Sequence, residues 1–233
     1  MWSGPRNLST ALMRSFENRN DTKVIDEPFY AYYLKKTGFE HPMREEIINH
    51  YSTDFNEIVK NINSIIPNDK TIWYQKHMAH HIVDIKKLSW IEGFKNCILI
   101  RNPKDVINSY LKKNTLKNVQ ELGYPQQLSI IQLLQKKKLP FYIIDSDDLL
   151  DNPYKELSRW CRYLDIDFDK KMLSWERGPH KNDGIWAKHW YKNIINSNRF
   201  LKQKKLQSNE YKNFESVYHD SLHYYRKIYN MKS

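Results

Sequence analysis

The chain has 233 residues, 40% of them apolar and 14% aromatic, enough to bury a core, which excludes a disordered or fibrous chain. No apolar run approaches ~20 residues, which excludes a hydrophobic membrane helix. The formal charge of +11 points to an anionic partner, but 28 Lys and 21 Asn beside 6 Gly read as a compositional bias, and no nucleic-acid-binding signature accompanies it, so no specific nucleic-acid partner is expected.

The chain opens Trp2-Ser3-Gly4-Pro5-Arg6-Asn7-Leu8-Ser9-Thr10 and runs into an amphipathic helix with Leu12, Met13 and Phe16 on one side. Only Met1 and Trp2 precede the loop, whereas parallel strands run ~5–6 residues, so the first strand reads as truncated. Lys23 to Asp26 reads as a strand that ends at Glu27-Pro28. Phe29 to Leu34 reads as a helix, broken at Thr37-Gly38. Asp54 to Ile66 has Phe55, Ile58, Val59 and Ile62 at helical spacing, with Pro67 as the stop. Thr71 to Lys76 is the third predicted strand and leads into His77-Met78-Ala79-His80-His81. A helix over Ile82–Trp90 precedes a fourth strand, Asn96 to Ile100.

That strand runs into Arg101-Asn102-Pro103-Lys104-Asp105, with Asn as N-cap, Pro at the first helical position and Asp in the first turn. The helix is predicted to continue through Lys112. Gln126 to Lys138 reads as a helix, Pro140 to Asp145 as the fifth strand, and Asn152-Pro153 opens a helix burying Leu157, Trp160, Cys161 and Leu164. Trp175 to Tyr191 reads as irregular. The last helix spans about 209–231, with Tyr211, Phe214, Tyr218, Leu222, Tyr225 and Tyr229 expected as a core stripe. Strands alternating with helices predict an α/β fold of three layers, with about five parallel strands between helices. One domain is expected over residues 1–233, with a helical insertion at about 38–70. Cys97 and Cys161 show no metal or disulfide spacing, and the start lacks a signal-peptide core, so a reducing, cytoplasmic setting is expected.

Two stretches carry chemistry. A Gly-Pro turn that opens onto a helix presents free backbone N–H groups and the positive end of the helix dipole to one spot, which is an anion site. Arg6 adds a charge there, and Ser9 and Thr10 add hydroxyls. The loop is not a Walker A motif, because the second Gly and the Lys-Ser/Thr pair are absent. In the second stretch, Arg101 at a strand end and Ser109 two turns into the helix are placed to grip another phosphate. Arg6, Glu27, His77 and Arg101 are each expected just after a strand, where parallel sheets bind ligands.

The Arg101-Asn102-Pro103-x-Asp105-x-x-x-Ser109 run resembles the 3′-phosphate motif of sulfotransferases that use PAPS (3′-phosphoadenosine 5′-phosphosulfate). The first loop is similar to their 5′-phosphosulfate loop, P-K-S-G-T-T. Pro5 stands for Pro, Arg6 for Lys, Asn7 for Ser, and Ser9 and Thr10 for the two Thr; Leu8 replaces the family's Gly. The resemblance implies a P-loop-type fold whose cofactor residues are Gly4, Pro5, Arg6, Asn7, Leu8, Ser9, Thr10, Arg101 and Ser109. It implies transfer of a sulfuryl group from PAPS to a hydroxyl or amine of a small acceptor, with PAP (the desulfated nucleotide) as product and no metal. Arg6 would neutralise the leaving phosphate. The base would be Glu27, as in some bacterial members, or His77, in a Lys-His setting resembling the K-T-H of cytosolic members. Arg177 and Lys181 sit in a stretch faintly similar to the family's closing loop and would reach the 3′-phosphate. The alternatives are an ATP-dependent phosphotransferase and a non-catalytic nucleotide or RNA binder.

Overall fold

The structure is a computed structural model that describes residues 1–202 and 209–232. Five strands are described: β1 (Trp2–Ser3), β2 (Thr22–Asp26), β3 (Ile72–Met78), β4 (Asn96–Ile100) and β5 (Phe141–Asp145). They pair in parallel in the order β2-β3-β1-β4-β5. The α-helices are α1 (Ser9–Glu17), α2 (Tyr30–Thr37), α3 (Arg44–His50), α4 (Phe55–Ile62), α5 (Pro103–Tyr110) and α6 (Tyr124–Lys136). They continue as α7 (Ser146–Asp151), α8 (Pro153–Leu164), α9 (Ala187–Trp190), α10 (Lys192–Ile195) and α11 (Glu215–Tyr229).

Side chains alternate across a strand, and the core follows that period. Cys97, Leu99, Tyr142 and Ile144 pack with Leu12, Met13, Phe16, Leu157 and Trp160 of α1 and α8. Ile98, Ile100 and Ile143 face the other way, with Phe55, Ile58, Leu128, Ile131 and Leu134 of α4 and α6. β4 and β5 are buried on both faces, so they read as near-continuous apolar runs. The expected α/β sandwich with five parallel strands is the observed one.

The short first strand sits at the centre. Trp2 pairs with His77 and Ile98, and Ser3 with Met78 and Leu99. Side chains reinforce this edge: the Gln127 amide donates to the Leu99 carbonyl at 2.7 Å and to the Trp2 carbonyl at 3.3 Å. The chain therefore leaves the sheet at its middle, between the strands that carry Lys76 and Arg101.

Some boundaries differ from expectation. Residues 85–93 form a 3₁₀ segment kinked at Leu88, which its one-turn-wide apolar pattern did not distinguish from an α-helix. α4 stops at Ile62, leaving Ile65 fully in solvent. The tyrosine stripe of the last helix is only half-buried, and Tyr229 is exposed; Ser221 and Ile228 are the buried positions of α11. Leu222 and Tyr229 each follow a buried position by one residue, which in an α-helix turns them about 100° off the buried line. Among the described residues, no helix is long and apolar enough to cross a membrane.

Candidate active site

A cleft of about 330 Å³ opens at the carboxyl ends of the strands. Its base is the loop between β1 and α1. Gly4 lies where a Cβ would come within 2.3 Å of the Leu122 carbonyl oxygen, so only glycine fits. Arg6 (φ 64°) and Leu8 (φ 67°) both adopt left-handed backbone. Such a conformation costs a branched or long residue roughly 1–2 kcal/mol. Leu8 thus takes the conformation that glycine adopts freely in the P-K-S-G-T-T pattern. Leu8 is also the N-cap of α1 and supplies no side-chain acceptor, so the first-turn N–H groups at Ser9 and Thr10 stay open toward the cleft. Asn7 does not face the cleft. It is fully buried, its amide donates to the Leu99 carbonyl at 3.2 Å, and its own carbonyl accepts from Ser146 at 2.8 Å.

The two sequence stretches meet here. Arg6 Nε donates to Ser109 Oγ at 2.9 Å, and Arg101 donates to the Arg6 carbonyl at 3.1 Å. Tyr124 in turn donates to the Arg101 carbonyl at 2.7 Å, which fixes the strand end. Among the described residues neither arginine forms an ion pair with a carboxylate, and Arg101 Nε is buried without a partner. Burial and then the charge of Arg101 pull the Arg6 pKa down from its ordinary value. Two cations held together without an anion form a site that a phosphate or sulfate would relieve.

Across the cleft lies a buried ionic network. Lys76, which is 1% exposed, donates to Asp26 Oδ1 at 2.8 Å, Glu27 Oε1 at 2.6 Å and the Tyr191 hydroxyl at 2.6 Å. The Tyr191 hydroxyl donates to Asp26 Oδ2 at 2.7 Å, and the Gly184 N–H reaches the same oxygen at 3.1 Å. Burial opposes the charge on Lys76, but Asp26 and Glu27 beside it hold its pKa well above the ordinary lysine value. Glu27 sits at φ 45°, a strained position just past β2, and lines the cleft. Burial raises its pKa above the usual carboxylate range; Lys76 pulls it back and Asp26 adds to the rise. A carboxylate tuned upward and aimed into a cleft can take a proton from a bound hydroxyl.

A third group walls the cleft: Tyr30, Tyr33, Phe39, His41, His80 and His81. His81 is sandwiched between Tyr30 and Tyr33, with ring centroids 4.7 and 4.8 Å away. The Tyr30 hydroxyl and His41 Nδ1 are 2.6 Å apart. Burial lowers the imidazole pKa to about 4 at His41 and about 3 at His80, and well below normal at His81; neighbouring imidazoles add to each fall. The wall is therefore neutral at pH 7. A folded pKa below the unfolded ~6.5 gives stability that is present above ~6.5 and is lost as pH falls through the folded value. Urea midpoints should accordingly fall between about pH 6.5 and about pH 4, and His41→Phe should flatten that slope. Parallel slopes for the two proteins would remove His41 as its cause.

A family model described as the sulfotransferase domain matches residues 1–223. The chain belongs to the sulfotransferase family. Two Arabidopsis thaliana relatives, named branched-chain-amino-acid aminotransferase-like proteins 1 and 2, are 35% and 36% identical over 99% of this chain. The chain spans 40% of the length of each. The fold resembles the sulfotransferase domain of the Synechococcus PCC 7002 olefin synthase, at 16% identity and TM-score 0.55, covering 97% of this chain and 92% of that one. It likewise resembles a sulfotransferase from Alicyclobacillus acidocaldarius, at 8% identity and TM-score 0.56, covering 98% and 93%.

In this sulfotransferase chain, Pro5, Arg6, Leu8, Ser9, Thr10, Glu27, Arg101 and Ser109 all line the one cleft. Three other expectations are corrected. His77 does not follow its strand but lies inside β3, 4% exposed, stacked on Trp2 at 4.7 Å and facing a separate cavity of about 50 Å³. Continuing the strand by two residues turned it to the opposite face from Lys76. Arg177 and Lys181 are exposed and do not line the cleft. Their loop is anchored instead by buried Arg14, which donates to Asp183 at 2.6 Å, and by Glu17, which accepts from Asn182 at 2.5 Å.

Several cleft residues escaped the sequence reading. Lys76 was legible in retrospect, since a lysine inside an apolar strand is buried only when paired. Tyr191, Glu121 and His41 come from distant segments and carry no local signal. Trp175, Phe200, Leu150 and Ile194 form an apolar wall beside Leu8, on the α1 and α8 side of the sheet.

Proposed function

We propose that this chain transfers a sulfuryl group from PAPS to a hydroxyl or amine of a small acceptor. The observation that carries the reading is the Arg6–Ser109–Arg101 constellation, two half-buried cations joined by hydrogen bonds and, among the described residues, lacking a carboxylate partner. A nucleotide with phosphates at both ends matches it. Ser9, Thr10 and the first-turn N–H groups of α1 would hold the 5′-phosphosulfate, and Arg101 with Ser109 the 3′-phosphate. The aromatic shelf of Trp175 and Phe200, whose centroids lie 5.0 Å apart, would receive the purine.

PAPS supplies an activated sulfuryl group on a phosphate leaving group. Arg6 would neutralise the charge that grows on that phosphate, a gain realised in the transition state. Glu27 would take the acceptor's proton, and its raised pKa suits it to the task. Lys76 orients the Glu27 carboxylate through Oε1. His77 takes no part, because its ring faces away from the cleft.

Calorimetry with PAP, AMP and magnesium-ATP tests the reading. PAP should bind without metal and at least tenfold more tightly than AMP, about 1.4 kcal/mol, because only a 3′-phosphate would use Arg101 and Ser109. Equal affinity for PAP and AMP, or a preference for magnesium-ATP, would overturn it.

A further inference from the structure

The cleft that Arg6 and Arg101 line holds a second carboxylate besides Glu27. Glu121 lies in the 3₁₀ turn Val119–Leu122 and is 9% exposed. Its Oε2 accepts from the Tyr110 hydroxyl at 3.3 Å, Oε1 is enclosed without a hydrogen-bond partner, and the residue is part of the cleft lining. The segment is packed tightly into the site. At Gly123, two residues on, a Cβ would stand 3.2 Å from Gly4 and 3.7 Å from His80 Nδ1. His80 Nδ1 is itself buried and unpartnered.

The surroundings of Glu121 suit a positive charge. Tyr33 lies between it and the stacked pair of His81 and Tyr30, and burial followed by the Glu121 charge pushes the Tyr33 hydroxyl up to about 12. Aromatic faces and neutral imidazoles attract or tolerate a cation. Burial raises the Glu121 pKa, and only exposed Lys117, with its backbone, and the Tyr110 hydroxyl pull it back. Among the described residues Glu121 forms no salt bridge, and Lys76, which also lines the cleft, is taken by Asp26, Glu27 and Tyr191. The Glu27 charge acts on Tyr30 as the Glu121 charge acts on Tyr33, and both tyrosine rings stack on His81, with centroids 4.7 and 4.8 Å away.

We infer that this end of the cleft binds an acceptor carrying a protonated amine, seating the ammonium at Glu121 Oε1 among Tyr33, Tyr110 and His80 while a hydroxyl on the same molecule faces Glu27. The inference rests on the reading of Glu27 as the reacting end, and names the acceptor class as amino alcohols. An anionic acceptor would meet two carboxylates, and a neutral one would leave Oε1 unpartnered.

Three molecules of one shape separate these cases: trans-4-aminocyclohexanol, trans-4-methylcyclohexanol and trans-4-hydroxycyclohexanecarboxylate. Each is titrated by tryptophan fluorescence into the full chain saturated with PAP; where PAP does not bind, the titration is run on the free chain. The amino alcohol should bind at least about tenfold more tightly than the methyl analogue, and the carboxylate most weakly. Glu121→Gln, which keeps the shape and the Tyr110 contact, should erase the preference for the amine without altering PAP affinity. Equal or tighter binding of the methyl analogue, no binding of the amine, or a preference that survives Glu121→Gln would overturn the assignment. The PAP titration is read separately, so loss of PAP binding speaks to the cofactor reading and loss of amine selectivity to this one.

Discussion

Glu27→Gln is expected to lower turnover by about 10²–10⁴, the range for removing a general base. The amide keeps the shape and can still meet Lys76, but it accepts no proton. PAP affinity should hold or tighten slightly, since a negative charge is removed from a cleft that receives an anion. The pH dependence has a definite sign. The base acts when ionised, so the rate of the native protein should fall as pH drops through the Glu27 pKa. That limb lies above the usual carboxylate range, because burial raises the value more than Lys76 lowers it. Glu27→Gln should lose the limb along with the rate. Steady-state kinetics across pH, paired with PAP calorimetry, decide the matter. Native-like turnover in Glu27→Gln would move the proton acceptor elsewhere.

The second large effect is on stability. Lys76→Met is expected to cost about 3–5 kcal/mol, the range for breaking a buried ion pair by removing one partner. Asp26 and Glu27 both lose their cation, and the Tyr191 hydroxyl loses a donor. The adjacent carboxylates would then repel each other, so the acid limb of any remaining activity should move to still higher pH. Asp26→Asn combined with Lys76→Met should be less harmful than the sum of the single changes, because the pair is removed together. Urea unfolding of the four proteins measures this. Additive costs would show that Lys76 stabilises through packing of its stem and not through its charge.

The network also ties the segment 184–191 to the Glu27 carboxylate. Gly184 and Tyr191 both reach Asp26, while Trp190 on the same segment lines the cleft. Gly184 is needed where it stands, because a Cβ there would enter the Trp186 ring at 2.2 Å. The Lys76 variant should therefore loosen the cleft wall as well as the sheet edge.

The sequence by itself determined the fold class and half of the site. Continuous apolar runs at β4 and β5 specify strands buried on both faces, and the helical periods between them specify the covering layers. That Arg6, Ser9, Thr10, Arg101 and Ser109 line one cleft was legible because an anion-binding pattern at a strand-to-helix turn is local: in each stretch the loop, the helix N-terminus and the side chains lie close in sequence. Glu27 was legible for a similar reason, since Pro28 ends its strand and fixes it at the edge. The opposite half was decided only by tertiary structure. His77 and Lys76 are neighbours in sequence, yet the two-residue period of a strand sends one into the aromatic packing of Trp2 and the other to the cleft. Arg177 and Lys181 carry the right charge but are exposed, in a loop that Arg14 holds by the Gly178 carbonyl and the Asp183 carboxylate and Glu17 by the Asn182 amide. Glu121, His41 and Tyr191 come from three separate connections, and no local pattern marks them. Their meeting depends on close approach of Gly4 to Gly123 and on burial of Lys76, both set by long-range packing around the first strand.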